Sequence, residues 1–334
     1  MVATSIGHLA EVVGVRRRLV ARRRAGLTWA TPAQGKSFVE RSTARRRVVT
    51  IAIAAVVALL ASSCQRHLLP PDGEGPLRYR DEIFSQVDIT TGLTYGSAPG
   101  LDGQTETLKL DLYEPHGDDL TKRPAIVWVH GGSFKTGSRT SPEIVDQAKA
   151  FSRMGYLNVS ISYRLTEKGC VPFGDECIQG ITMAKHDAQA AVRWLRANGA
   201  TYGIDTARIA VAGSSAGAIT AYNVAYGKDD QGSSGNPGFS PTVKAAVSLS
   251  GAALTTSPDP GEPPTLDFHG TNDGLVPLSW AENTIDDALA DGLIAEQTVW
   301  EGAGHVPYGQ YKAEIIEQTR NFLYWTMDLR NAAQ

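Results

Sequence analysis

Short apolar runs that alternate with stretches of helical periodicity constrain this chain more than any other feature. Residues 125–129, AIVWV, are continuously apolar, as a strand covered on both faces must be. Further short strands are expected at 157–161, 208–212, 243–249, 265–269 and 297–300. Residues 108–113 alternate apolar and polar instead, which predicts a strand with one exposed face. Between the runs, residues 142–154 predict a helix with Ser141 as N-cap, Pro142 at its first position and Gly155 as its stop. In residues 183–198, Ala184, Ala188, Ala191, Val192 and Leu195 share one helical face, and Gly199 stands just beyond. Further helices are expected at 216–226, 279–291 and 308–327. In the last, Ile315, Ile316, Thr319, Phe322 and Leu323 fall on one side. Repeated strand–helix units imply an α/β fold whose mostly parallel central sheet is flanked by helices on both faces. No internal repeat or long linker divides it, so residues 82–330 read as a single domain. Residues 227–241, GKDDQGSSGNPGFSP, read as a surface excursion, and residues 65–81, rich in Pro, Gly and charge, as a tether.

Charge separates the ends of the chain. Residues 1–64 hold eleven basic against two acidic residues, and the rest of the chain 21 basic against 33 acidic. An acidic body without a basic stripe argues against a nucleic-acid partner. Arg45-Arg46-Arg47 precedes the uncharged run at 48–61, VVTIAIAAVVALLA. Fourteen residues are short for a bilayer span and suit the apolar region of an export signal. The run closes on Ala61-Ser62-Ser63-Cys64, which resembles a lipoprotein processing box with Cys64 as the lipidated residue. Ala61 departs from that pattern, which prefers Leu there, and the alternatives are an ordinary signal cut near Ser62 or Ser63 and a short membrane anchor that is never cut. Residues 1–64 are therefore expected to be an N-terminal extension and export segment, placing the protein at the cell surface or outside. Cys170 and Cys177 then remain as an even pair in an oxidising compartment, where a disulfide is expected.

The chemistry-bearing residues lie where strands end. Gly213-Ser214-Ser215-Ala216-Gly217 follows a strand and opens a helix, and its small residues suit a tight turn that exposes the Ser215 hydroxyl. A serine hydroxyl needs a base to take its proton, and that base needs an acid to fix its tautomer. His8 and His67 fall in the N-terminal segment and tether, His116 in a charged loop, and His186 on a polar helix face where solvation is the default. His305 stands in EGAGHVP, a Gly-rich loop between the last strand and the last helix. Asp273 lies in HGTNDGLVP just after a buried strand. Asp267 lies inside that strand, and Asp286 and Asp287 lie in a helix. Ser215 as nucleophile, Asp273 as orienting acid and His305 as base follow in that chain order. After the strand at 125–129, His130-Gly131-Gly132-Ser133-Phe134 can present N–H donors to a developing oxyanion. No metal-ligand spacing and no phosphate-binding Gly-rich loop appears, so neither a metal nor a cofactor is expected.

Taken together, HGGSF, DAQAAVRWLRANGATYGID, GSSAG, HGTNDGLVP and GAGHVP resemble the α/β-hydrolase family, within it the esterase and lipase branch that carries an HGGG-type loop, over about residues 82–327. The resemblance implies an oxyanion hole built from the backbone N–H groups of Gly132, Ser133 and Ala216, with Ser133 standing where the family loop has its third Gly. His130 would hold the loop, and His269 would be a strand-end residue. The implied activity is hydrolysis of a carboxylic ester, small or polymer-borne, through an acyl-enzyme. A serine peptidase of the prolyl-peptidase branch, or a silent scaffold, is the rival reading. Relatives often carry a helical cap between the sixth and seventh strands. Here that connection, SGAALTTSPDPGEPP, holds four prolines and no helical periodicity, so little or no cap domain is expected. The stretch 164–180, which contains both cysteines, is the expected wall of an open site.

Overall fold

The computed structural model describes residues 66–227 and 230–332. Cys64, the export signal and the rest of residues 1–64 lie outside the described residues. Eight strands form one sheet: β1 (Val87–Pro99), β2 (Thr105–Pro115), β3 (Arg123–Val129), β4 (Leu157–Ile161), β5 (Ile204–Ser214), β6 (Ala245–Leu249), β7 (Thr265–Gly270) and β8 (Ala295–Trp300). Their spatial order is β1-β2-β4-β3-β5-β6-β7-β8. β1 and β2 run antiparallel to their neighbours, and from β4 across to β8 every pairing is parallel. Helices α1 (Pro142–Arg153), α2 (Asp175–Ala197), the single turn α3 (Gly199–Tyr202), α4 (Ala216–Tyr226), α5 (Leu278–Ala290) and α6 (Tyr308–Thr326) connect them.

Side-chain alternation divides the core in two. β3 sends Ala125, Val127 and Val129 to one face with Ile181 and Leu195 of α2 and Ile219 of α4. It sends Ile126 and Trp128 to the other face with Ile144 and Phe151 of α1 and Phe322 of α6. Every residue of β3, β6 and β7 is buried, as strands covered on both faces must be; residues 125–129 of β3 accordingly read as an unbroken apolar run, whereas β7 buries Asp267 and His269 as well.

Four sequence expectations change in the structure. β1 was not expected: most of it is exposed, and its pairing with β2 is broken by two register shifts, so it lacks a clean period of two. α2 begins at Asp175, eight residues ahead of the expected start, because its first two turns carry fewer apolar residues. Ser141 occupies the N-cap position of α1 without a capping side-chain hydrogen bond. The segment expected to be a tether is, from residue 66, packed on the body. Tyr79 is fully buried, stands edge-on to the Tyr156 ring at 5.2 Å, and donates its N–H to Met154 O at 2.7 Å. The Trp325 indole donates to Leu69 O at 2.9 Å. A segment that is polar in sequence thus delivers one large aromatic to the core, and that burial fixes it.

The connection from β6 to β7 carries no helix, so no cap is inserted there. Among the described residues, no helix is long and apolar enough to cross a membrane.

Candidate active site

The site is assembled from loops that leave the C-terminal ends of β3, β5, β7 and β8. β5 ends on Ser214 and α4 begins on Ala216, which leaves Ser215 alone at the turn with φ of 53° and ψ of −119°. That conformation costs a non-glycine residue on the order of 1–3 kcal/mol and persists only where its surroundings hold it. Ser215 N–H donates to Leu249 O at 2.8 Å, and Ser215 O accepts from Ile219 N–H at 3.0 Å. The turn also needs Gly217, where a Cβ would sit 2.0 Å from Val129 O. Hence the small residue two places beyond the serine is dictated by the backbone of β3.

His305 and Asp273 stand on neighbouring loops that brace each other. Asn272 N–H donates to Ala303 O at 2.9 Å, and Gly302 N–H donates to Thr271 Oγ1 at 2.8 Å. Val306, with φ of 49°, donates its N–H to the buried Ser250 hydroxyl at 3.0 Å. This clamp turns the His305 ring over the elbow. His305 Nε2 lies 2.7 Å from Ser215 Oγ, and Nδ1 lies 2.7 Å from Asp273 Oδ2. The Asp273 carboxyl is fully buried and the His305 side chain is 18% exposed. Burial would push the Asp273 carboxyl up, but His269, His305 and the N–H groups of Val276 and Leu275 hold it well below the usual carboxylate range. Both N–H groups reach Oδ1 at 2.9 Å. A carboxylate so held fixes the His305 tautomer, with Nδ1–H toward Asp273 and the lone pair of Nε2 toward the serine hydroxyl.

The loop after β3 supplies open donors. Gly132, Ser133 and Phe134 all have positive φ, at 116°, 55° and 58°. The loop's carbonyls are occupied: Gly132 O accepts from Lys135 and Thr136 N–H, and Ser133 O from Cys170 N–H. The N–H groups of Gly132 and Ser133 donate to no acceptor among the described residues. Ala216 N–H lies in the first turn of α4, where a helix leaves its donors unsatisfied. His130 anchors the loop from beneath. It is buried, stacks on Tyr163 at 4.2 Å, and has its pKa lowered to about 4 by burial.

Two clefts meet at Ser215. The first, of about 590 Å³, includes His305 and Val306 and is lined by Lys135, Thr136, Glu143 and Ser214 as well as Pro142 and Leu275. The second, of about 300 Å³, excludes His305 and is walled by Phe134, Pro172, Phe173, Ile219, Leu254 and Trp280. The expected wall at 164–180 therefore borders the second cleft. Cys170 and Cys177 form a disulfide, and the base of the loop is held by the buried Arg164–Asp187 ion pair at 2.8 Å.

Sequence reading missed two contacts. The Ser214 hydroxyl donates to the Glu143 carboxylate, a pairing between a helix start and a strand end that no local spacing reveals. His186 is not simply solvated, since its Nε2 lies 2.9 Å from Asp230 Oδ2, across a loop closure that the helical pattern does not encode.

Comparison with known proteins now bears on this geometry. A family model described as BD-FAE matches residues 110–256. The chain is 36% identical over 123 residues to carboxylesterase 5A of Felis catus, covering 36% of this chain and 22% of that protein. It is 37% identical over 129 residues to phenmedipham hydrolase of Pseudarthrobacter oxydans, covering 38% and 24%. These curated relatives are thus matched over about a quarter of their own length. Among solved structures, the butyrate-bound thermophilic esterase Est2 of Thermogutta terrifontis aligns with a TM-score of 0.60 and 23% identity, over 75% of this chain and 97% of that one. The chain folds as an α/β-hydrolase. The matched segment 110–256 carries the β3 loop and the elbow. The Asp273 and His305 loops lie beyond it.

Proposed function

We propose that this α/β-hydrolase is a serine ester hydrolase working through an acyl-enzyme. The observation that carries the reading is the unbroken row Ser215–His305–Asp273, with both contacts at 2.7 Å, at a strained elbow beside open N–H donors. His305 takes the Ser215 proton as Oγ attacks the ester carbonyl. The N–H groups of Gly132, Ser133 and Ala216 hold the developing oxyanion. His305 then protonates the departing alcohol, and water repeats the cycle to release the acid.

On this reading the two clefts divide the ester between them. The leaving alcohol must lie against His305, which has to protonate it, so the first cleft takes the alcohol with Glu143 on its wall. The acyl group goes to the second, apolar cleft, bounded by the disulfide loop. The open connection between β6 and β7 favours short acyl groups and small esters. Ester hydrolases among the relatives, and the Thermogutta terrifontis esterase phosphorylated by paraoxon, support a serine-centred chemistry.

The test is Ser215→Ala. That variant should keep its fold by circular dichroism, lose p-nitrophenyl ester hydrolysis by about 10⁴-fold or more, and lose labelling by a fluorophosphonate. Substantial residual hydrolysis would sink the assignment.

The basic flank and apolar run before Cys64 support export with lipid on Cys64, and the Cys170–Cys177 disulfide suits an oxidising compartment. Intact mass of the membrane-extracted protein should match an acylated chain beginning at Cys64. A free N-terminus at Ser62 or Ser63 would reject lipidation and leave export standing.

A further inference from the structure

Behind the triad lies a second histidine between two carboxylates. Asp267 and His269 alternate along β7 and so point to the same face of the sheet, where both side chains are fully buried. His269 Nδ1 lies 3.4 Å from Asp267 Oδ2. Its Nε2 lies 3.4 Å from Asp273 Oδ2 and 2.8 Å from Val276 O. Asp267 also accepts from the Ser248 hydroxyl at 2.7 Å and the Gln297 amide at 3.1 Å.

Neither neutral tautomer fits this setting. With the proton on Nε2, the Nδ1 lone pair faces the Asp267 carboxylate oxygen at 3.4 Å, and that buried atom is left with no hydrogen-bond partner. With the proton on Nδ1, the Nε2 lone pair faces the Val276 carbonyl and the Asp273 carboxylate together. Only the imidazolium presents an N–H to each oxygen. Charge gives the same answer, because two buried carboxylates without a cation are costly and His269 is the basic side chain seated between them. We propose that His269 is a permanently protonated positioning residue: it lets Asp267 and Asp273 ionise side by side and sets, through Asp273, how basic His305 is.

Burial opposes charge on His269, but the two carboxylates outweigh it and push its pKa up to about 10. The other titratable groups around this cluster are His305, bound to the far side of Asp273, and Tyr222 of α4. The Tyr222 hydroxyl is held well above its ordinary range by burial and by Asp267, so it remains neutral. Replacing Asp267 or His269 by a neutral amide therefore alters the charge that stands behind Asp273 and in front of His305.

The inference rests on the proposed roles of Asp273 and His305, and two measurements separate its failure from theirs. Histidine-selective ¹⁵N NMR of the intact protein should show both His269 nitrogens protonated up to at least about pH 8. A neutral His269 ring at pH 7 would overturn the inference whatever the enzyme does. The second measurement is the acid limb of kcat/KM on a p-nitrophenyl ester, which reports the base of the free enzyme. H269Q makes the cluster more negative and should move that limb up by roughly one pH unit. D267N makes it more positive and should move the limb down. D267N/H269Q restores the net charge and should return the limb to near the wild-type position even where kcat is lower. If H269Q alone does not fold, the opposite shift in D267N and the return in the double variant still decide. A limb that stays fixed across the folded variants would reduce His269 to a packing residue. Absence of any Ser215-dependent hydrolysis would instead sink the proposed function, and the positioning role with it.

Discussion

At the scale of single residues, the site depends on charges that burial makes unforgiving. Asp273 is ionised in the fold and well below its ordinary pKa, whereas in the unfolded chain it titrates near about 3.9. A depressed folded value means that its contribution to stability is complete above that unfolded pKa and is lost as the pH falls further. Thermal melts should therefore show a loss of Tm below about pH 4 that is smaller in Asp273→Asn. The same substitution should lower kcat strongly, since a neutral amide no longer fixes the His305 tautomer. For His269 the sign reverses. Its folded pKa is raised to about 10 from an unfolded value near about 6.5. The stability it brings is complete below the lower figure and fades as the pH rises through the upper one. The Tm of the wild type should decline across that alkaline window, and that of H269Q should be flatter there; equal slopes would contradict a charged His269. Ser215, His305 and Asp273 were legible because each sits at a strand end inside a motif. His269 was legible only in part: its alternation with Asp267 on one strand announces a shared face, but that Asp273 folds back onto the same ring is a tertiary fact.

At the scale of elements, the loop between β4 and α2 shows how a staple serves a cleft. Its disulfide closes Cys170 to Cys177, and Val171 and Phe173 within it are 71% and 49% exposed. A side chain held that far into solvent is not there for the core, and Phe173 borders the second cleft, proposed to take the acyl group. Cys170→Ser should therefore raise KM or shift acyl preference in a p-nitrophenyl series by several-fold. Closing so short a loop stabilises by roughly 2–3 kcal/mol in the chain-entropy account, so Tm should fall as well. A lower Tm with an unchanged acyl profile would make the disulfide a stability device only. The helices are legible wherever they carry an apolar stripe, as in α1 and α6. The first turns of α2 are not, because they carry fewer apolar residues and are tied to the preceding loop by the disulfide at Cys177. β1 escaped for the matching reason, since an exposed edge strand with bulges has no face that must be apolar.

At the scale of the whole molecule, two features set behaviour. With no helices between β6 and β7, nothing inserted there must move to admit substrate. Hydrolysis should follow ordinary saturation through the solubility limit of a short-chain triglyceride, and a rate jump at that limit would reveal a lid. The second feature is the segment ahead of β1. Tyr79 is fully buried, and removing a large aromatic side chain from such a position typically costs about 3–5 kcal/mol. Tyr79→Ala should lower the midpoint of urea unfolding accordingly, and a free tether would have predicted no change.

The sequence by itself determined the α/β class, the parallel core of the sheet, the serine elbow and the loops that bear Asp273 and His305. Those follow from local rules: continuous apolar runs where both faces are covered, small residues where a turn is tight, glycines where a loop must bend. Only the tertiary structure decided that Glu143 sits against Ser214, that Arg164 locks the disulfide loop to Asp187, that the segment from residue 66 packs on the body, and that His269 stands between two buried carboxylates. Each of these joins residues from different elements, and their energies depend on burial and distance, quantities that spacing along a chain does not contain.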